Sequence, residues 1–333
     1  MNSEGTVFLN RSIDMFAIAT NLQKNNEAAW RGLGYSFLYS GQVSEALGAW
    51  QNVPAIEQEL IDWGHRARDN KNFHEAIRWY EYGQSLSATP NEEIQLSIGI
   101  AYLEMAEGDA ARNVLESARR EFPHNRDLLF YLGQAYALDE QAEKALEILQ
   151  QALNAPPAQV QLSDIHFQIA HIQQTVGWTA HRLTALSSYD RAISLDAFSE
   201  ALNLKPQTYY ERGHLLLSNG DYKKALLDFD KVIELDPAHY FSYLASADAL
   251  KQLGKLNEAY GRLSLVIALF PKRKAAYFQL GSLYAENGRL DLACTTYSKI
   301  LEIDGDDQRA KSAINGLAER NVPACLSLSI SDQ

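Results

Sequence analysis

Residues 130–157 read FYLGQAYALDEQAEKALEILQQALNAPP, and this stretch decides the fold. Its apolar and small residues recur three and four positions apart, which is the spacing of one face of an α-helix. A proline at 157 follows the second such run, where it ends a helix because it has no backbone N–H to donate. The stretch therefore predicts two short helices joined by a turn.

The same pattern returns about every 34 residues along the chain, which is the mark of a repeat architecture. Each copy has a small residue in its first helix and a second small residue twelve positions later. Two helices approach closely where side chains are small, so these positions mark the contact within each helix pair. The first small residue is Gly34, Gly64, Gly99, Gly133, Gly213, Ala247 or Gly281, and the second is Ala46, Ala76, Ala111, Ala145, Ala225, Ala259 or Ala293.

One repeat departs from this spacing. Ala170 and Gly213 stand 43 residues apart, so residues 163–205 contain an insertion. Either the second helix of this repeat continues through Phe198 and Leu202, or the following repeat gains a lead-in helix. Insertions of this kind fall most often in loops, and a hinge between two blocks of repeats is the alternative.

The Leu-Gly start, the small residue twelve positions on, the following aromatic residue and the closing proline resemble the tetratricopeptide repeat family. The resemblance implies an all-α fold, a right-handed superhelical solenoid of antiparallel helix pairs with about eight repeats and a C-terminal capping helix. We expect the following segments: an N-terminal half-repeat at 1–26, repeats one to four at 27–162, the irregular fifth repeat at 163–205, repeats six to eight at 206–306, the capping helix at 307–320 and a tail at 321–333, either disordered or lying along a groove.

Composition and motifs narrow the function. The chain has 333 residues, 46% of them hydrophobic, and a net charge of −12, which disfavours disorder and disfavours nucleic acid as a partner. No apolar run is long enough to insert into a membrane. Cys294 and Cys325 lack zinc-site spacing, and we expect them to be reduced thiols. No catalytic motif occurs, so we expect no enzyme and no cofactor. The N-terminal residues do not have the pattern of a signal peptide, so we expect a cytoplasmic location, or else a soluble part of a membrane-associated or exported assembly.

The resemblance also implies that partners bind the concave face, which the first helix of each repeat lines. We expect one sub-site near the N-terminus, suited to an acidic or C-terminal peptide, and a second sub-site suited to a peptide with apolar anchors. Packing between repeats is the alternative role for the aromatic residues. The predicted residues are Arg31, Tyr35, Tyr39, His65 and Arg68 in the first sub-site, Phe167, His171, Tyr210, His214, Asp248 and Lys251 in the second, and Phe130 and Gln134 between them.

A metal site at His171, His214 and Asp248 is not expected. Neighbouring helix axes lie about 8–10 Å apart, and three equivalent positions therefore span more than one zinc ion can bridge.

The sequence thus predicts a scaffold or adaptor that holds a protein or peptide in its groove. One alternative is a structural protein that forms a homo-oligomer through its terminal helices. The other is a soluble recognition domain of a larger membrane or cell-envelope system that handles polysaccharide.

Overall fold

A computed structural model of the protein describes residues 3–175, 179–197 and 205–329. This part of the chain contains nineteen helices and no strand, which confirms the expected all-α class. The helices are α1 (Ser3–Leu22), α2 (Glu27–Tyr39), α3 (Val43–Trp50), α4 (Ile56–Asp69), α5 (Phe73–Leu86), α6 (Glu92–Glu104), α7 (Gly108–Glu121), α8 (Arg126–Leu138), α9 (Ala142–Asn154), α10 (Leu162–Thr175), α11 (Thr179–Ala197), α12 (Pro206–Ser218), α13 (Tyr222–Leu235), α14 (Tyr240–Gln252), α15 (Leu256–Leu269), α16 (Lys274–Glu286), α17 (Leu290–Ile303), α18 (Gln308–Ala318) and α19 (Pro323–Ser329).

The helices are arranged in repeated pairs. From α2 to α9 and from α12 to α17, each even-numbered helix packs against the helix that follows it, and successive pairs pack side by side. The turns within the pairs are about three residues long, so the two helices of a pair run antiparallel. Several of these turns hold a glycine with positive φ, such as Gly41 at 84° and Gly220 at 85°, where a left-handed residue ends the first helix.

Small residues bring the helices of a pair together, as their spacing predicts. A Cβ added to Gly133 would lie 2.6 Å from the side chain of Leu149, and one added to Gly281 would lie 2.5 Å from the ring of Tyr297. Both distances are far inside van der Waals contact. The large residue of the second helix therefore fills the space that glycine leaves on the first helix.

The chain divides into two compact units, residues 1–168 and residues 169–333. The first unit has its core between successive pairs, around Trp50, Leu60, Tyr80 and Ile94, all of which are buried. In the second unit the corresponding core residues are Phe229, Leu263 and Ile300.

The irregular repeat contains two helices in the part that the structure describes. Ser188 and Tyr189 of α11 donate hydrogen bonds to Gln173 and Gln174 of α10, and Ala185, Tyr189 and Ala192 of α11 are buried. The regular pattern begins again at Pro206, which opens α12. The proposed continuation through Phe198 and Leu202, like the turn residues 176–178, lies outside the described residues.

The C-terminal residues differ from the expectation for a disordered or groove-bound tail. Residues 323–329 form α19, which packs on α17 and α18. Cys294 of α17 and Cys325 of α19 are buried and joined by a disulfide bond, so the expectation of two reduced thiols was wrong. The two cysteines belong to one buried apolar cluster with Ile314, Leu317 and Val322, and the packing of this cluster brings them together.

Among the helices of the described ranges, none combines the length and the apolar character that a bilayer crossing requires.

The glycine contact leads to a stability prediction within the second unit. Gly281→Ala is expected to lower the free energy of unfolding by about 1–3 kcal/mol, because its methyl group overlaps the ring of Tyr297. Gly261→Ala is the matched control, since an added Cβ at this position in α15 meets no neighbour within 4 Å and alanine favours a helix by about 0.5–1 kcal/mol. Urea unfolding followed by circular dichroism measures both variants. Equal stability of the two variants would contradict the close approach.

Candidate functional site

The first predicted sub-site is organised around Glu59, a residue that the sequence did not single out. The Nε atom of Arg31 lies 2.9 Å from one Glu59 oxygen, and the Tyr35 hydroxyl donates to the other oxygen at 2.8 Å. The indole N–H of Trp63 donates to the Tyr35 hydroxyl at 3.1 Å. Arg31 therefore already faces a carboxylate of its own chain, which reduces what it offers to an acidic ligand.

Tyr35 remains a hydrogen-bond donor in this arrangement. Burial raises the pKa of the Tyr35 hydroxyl, and the hydrogen bond to Glu59 raises it further. The ring also makes an edge contact with Trp50, with 5.1 Å between the ring centroids. Tyr35 is thus held by neighbours in two other helices, and this favours a packing role.

His65 and Arg68 lie further along α4. The Nε2 atom of His65 is 3.3 Å from the hydroxyl of Ser97, and its ring makes an edge contact with Tyr80. The nearest acidic partner of Arg68 is its exposed chain neighbour Asp69, at 3.8 Å. The guanidinium of Arg68 is therefore less engaged than that of Arg31.

The other residues predicted in the first unit do not join this group. Tyr39 lines a separate cavity, to which Arg31, Tyr35, His65 and Arg68 do not contribute. Phe130 is only 8% exposed and packs edge-on against Tyr131, which favours its alternative role in packing. Gln134 and Phe167 are half-buried on α8 and α10.

Four residues predicted for the second sub-site come together in the second unit. Tyr210 and His214 of α12 and Asp248 and Lys251 of α14 line one groove with a volume of about 490 Å³. We call this site the second-unit groove. Phe241, Leu244, Phe278, Gln279 and Arg309 complete its main surface. His171 lies on α10 in the same unit and does not line the groove.

One end of the groove is a cluster of aromatic and imidazole rings. The centroid of the Tyr210 ring lies 4.5 Å from that of His214 and 4.8 Å from that of His239. Burial lowers the pKa of His214, the nearby positive charge of protonated His239 lowers it further, and the carboxylates of Glu211 and Asp248 partly offset the effect. The imidazole of His214 is therefore uncharged at neutral pH.

The polar groups of the groove differ in how they are paired. The Lys251 Nζ atom forms an ion pair with Glu286 at 2.6 Å. The Arg309 guanidinium lies over the ring of Phe278, 4.6 Å from its centroid, and forms no ion pair within the described part of the chain. Asp248 likewise has no hydrogen bond or ion pair among the described residues. The groove thus presents one unpaired carboxylate and one guanidinium without an acidic partner.

Two important groove residues were missed by sequence reasoning. Phe241 is 54% exposed although it is a large aromatic residue. It lies on the first helix of its repeat, which the family resemblance places on the concave face, so a signal for it existed. Arg309 comes from α18, which was interpreted only as a cap, and nothing in the repeat pattern pointed to it.

Within the described ranges, no three His, Cys, Asp or Glu side chains are placed to hold one ion.

Comparison with known proteins identifies the repeat. Tetratricopeptide repeat models match residues 96–160, 206–239 and 244–308. The chain is a tetratricopeptide repeat protein. A TPR repeat-containing protein of Methanocaldococcus jannaschii is 22% identical over 88% of this chain and 53% of its own length. DnaJ homolog subfamily C member 3 of Mus musculus is 31% identical over 35% of this chain and 23% of its own length.

Solved structures share the tetratricopeptide fold. The C-terminal part of a TPR repeat-containing protein from Cytophaga hutchinsonii gives a TM-score of 0.60 at 20% identity, covering 76% of this chain and 98% of that one. The Cut9–Hcn1 complex gives a TM-score of 0.50 at 13% identity, covering 93% of this chain and 52% of that one. At these identities the likeness shows the fold alone. The chain spans about half the length of the archaeal relative and about a quarter of the mouse one.

The half-buried imidazole of His214 predicts that the stability of the tetratricopeptide array depends on pH. The folded pKa of His214 lies below its unfolded value of about 6.5, so the unfolded chain binds a proton first as the pH falls. The contribution of neutral His214 to the free energy of unfolding is therefore complete above about pH 6.5, and it is lost as the pH falls through the folded pKa. We expect the melting temperature to drop less between pH 7.5 and 5 in His214→Gln than in the wild type, as measured by differential scanning calorimetry. An identical drop in His239→Gln and His214→Gln would show that the effect does not belong to His214.

Proposed function

We propose that the second-unit groove binds a peptide segment of another protein, and that the chain acts as a scaffold or adaptor. The observation that carries the proposal is Phe241. Phe241 is 54% exposed, and it lines the same concave groove as Phe278. An exposed aromatic residue in a depression gains apolar contact when a partner covers it, and such residues dominate binding energy at interfaces.

The unpaired charges of the groove indicate the chemistry of the peptide. Asp248 has no positive partner of its own, so a lysine or arginine of the ligand would neutralise it. A basic residue at this position is favoured further by the net charge of −12, which attracts positively charged segments. The ligand that fits best therefore carries an apolar anchor for the Phe241 and Phe278 rings and a basic residue for Asp248.

The family supports this proposal in general terms. Tetratricopeptide repeat proteins generally act as protein-interaction scaffolds, and they are typically not enzymes. The solved complex of Cut9 with Hcn1 is itself an assembly of a matching chain with another protein. We therefore expect a protein partner and no catalytic activity in this chain.

The location of the protein stays a proposal. The sequence analysis favoured a cytoplasmic location, with a soluble part of a membrane-associated or exported assembly as the alternative. The disulfide between Cys294 and Cys325 weighs against a reducing compartment, because cytosolic thiol systems keep most cysteine pairs reduced. The exported alternative therefore gains support from this bond.

The groove proposal predicts the effect of truncating Phe241. Peptides selected from a random display library on the wild-type chain should bind Phe241→Ala at least about tenfold more weakly, because truncating a dominant interface anchor costs about 2 kcal/mol or more and each 1.4 kcal/mol is about tenfold in affinity. Fluorescence anisotropy with labelled peptides gives the dissociation constants. The melting temperature should be unchanged, since the ring is half exposed.

Two further variants make this experiment specific. Leu265→Ala removes an apolar side chain that is 48% exposed and lies outside the groove, so it should not change affinity. Asp248→Asn should lower the affinity only for those peptides that carry a basic residue. Selected peptides that bind Phe241→Ala and the wild type equally would contradict the proposal.

Self-association is a second candidate function, and a specific feature of α1 favours it. Phe8, Met15, Ile18 and Leu22 lie on one face of this helix, and each is more than half exposed. We call this surface the α1 stripe. Phe8, Met15 and Leu22 follow one another at intervals of seven residues, the spacing with which helices pair in coiled coils. A second copy of the same stripe would cover it.

The α1 stripe predicts a concentration-dependent dimer. Met15→Glu places a charge in the middle of the stripe and should shift the mass measured by light scattering from dimer to monomer. Asn10→Glu adds the same charge at an exposed position of α1 outside these four residues and serves as the control. A wild-type chain that stays monomeric at high micromolar concentration would overturn this candidate.

A further inference from the structure

A second cavity lies in the first unit, on a part of the repeat that the groove proposal does not use. It has a volume of about 390 Å³ and forms where the turn between α2 and α3 meets the side of α5. We call it the Tyr39 pocket. Its principal lining residues are Tyr39, Val43, Glu75, Arg78, Trp79 and Tyr82. Three of these six side chains are aromatic.

One aromatic ring of the pocket is exposed, and the other two are held by ring contacts. Tyr39 is 59% exposed. Trp79 and Tyr82 stand almost perpendicular, with an interplanar angle of 86° and 5.8 Å between the ring centroids. Trp79 is held from behind by stacking on Trp63, at 6.2 Å. Rings that are already ordered lose little conformational freedom when a ligand fills the space between them.

The polar groups of the pocket are mainly hydrogen-bond donors. The hydroxyls of Tyr39 and Tyr82 make no hydrogen bond to any described residue, and the guanidinium of Arg78 forms no ion pair there. The only carboxylate in the lining is that of Glu75, which accepts a long hydrogen bond of 3.4 Å from the Trp79 indole. The pocket therefore offers more donors than acceptors to a ligand.

From these features we infer that the Tyr39 pocket binds a proline-rich segment in the polyproline II conformation. Such a segment has no internal hydrogen bonds and, at its prolines, no N–H groups, so its carbonyl oxygens need donors from the binding protein. Its rigid pyrrolidine rings fit between aromatic side chains, and its ordering costs little entropy because the conformation is already formed.

Other peptide conformations match the pocket less well. A helical ligand has already used its main-chain carbonyls in internal hydrogen bonds and would leave the free donors without acceptors. A β-strand ligand binds by extending a sheet, and the described residues contain no strand to extend. The surplus of donors beside the aromatic rings is thus the feature that favours the polyproline II segment.

The test measures binding of a fluorescein-labelled peptide of ten prolines to the full chain by anisotropy. A peptide of the same length made of alternating glycine and serine is the control ligand. We expect saturable binding of the proline peptide only. Tyr39→Ala and Tyr82→Ala should each weaken binding of the proline peptide by about tenfold, because each removes one aromatic ring of the Tyr39 pocket. Tyr39→Phe should weaken it less than Tyr39→Ala, since only the donor is lost.

Phe241→Ala separates this inference from the proposed function. That variant removes the anchor of the second-unit groove and should leave binding of the proline peptide unchanged, whereas Tyr39→Ala should leave the groove-binding peptides unaffected. Equal binding of the proline and glycine–serine peptides would overturn the inference. So would an unchanged affinity in both tyrosine variants, or a signal that follows self-association of the chain, measured in parallel by light scattering.

Discussion

The structure depends on the close approach of two helices at a small residue. In each pair the glycine or alanine of the first helix faces a large side chain of the second, as Gly133 faces Leu149 and Gly213 faces Phe229. This contact fixes the rotation of the first helix about its own axis. Successive residues of a helix are turned by about 100°, so the residue after the small one must point to the side of the pair. Tyr35, His214 and Asp248 all occupy that next position, and this is why they lie on a face that neighbouring pairs share.

The sequence could predict the helix pairs because their determinants are local. Spacing of small and large residues within about 34 positions specifies which faces meet, and the buried residues Ala145, Leu149 and Ala152 follow directly from it. The grouping of Tyr210, His214, Asp248 and Lys251 in one groove could also be predicted. They stand on the first helices of two successive repeats, with His214 and Asp248 at equivalent positions, and stacking of the repeats brings them together.

The pairing of charges could not be predicted, because it depends on side chains contributed by neighbouring helices. The sequence predicted that Arg31 binds an acidic peptide, but its guanidinium is paired with Glu59 of α4. Lys251 is paired with Glu286 of α16 in the same way. Repeat spacing specifies where a Cα lies, but a long flexible side chain can reach several partners, and only the three-dimensional arrangement selects among them. Arg309 was missed for a related reason, since its helix belongs to the end of the array.

The C-terminal end shows how an array closes its apolar core. The alternating leucines and serines of residues 326–330 gave no helical signal, yet residues 323–329 form a helix. Without α19, the cluster around Cys294, Ile314 and Leu317 would face water. Burial of that cluster outweighs the weak local preference, since each large apolar side chain removed from water contributes about 1.5–3 kcal/mol. The disulfide then adds a covalent link between α17 and α19.

The distribution of paired charges also bears on which partners the chain can attract. Basic residues are fewer than acidic ones, 30 against 42, and several of them are already neutralised within the chain. Arg212 is held by Asp228 and Asp190, and Lys274 by Asp304 and Asp307. The excess negative charge therefore remains on the surface, where it acts over a distance of about 8–10 Å at physiological salt. A positively charged segment would be drawn to either unit by this field, and in the second-unit groove the unpaired carboxylate of Asp248 shares the lining with the exposed Phe241. Long-range attraction and short-range recognition then select the same ligand, a basic residue next to an apolar one.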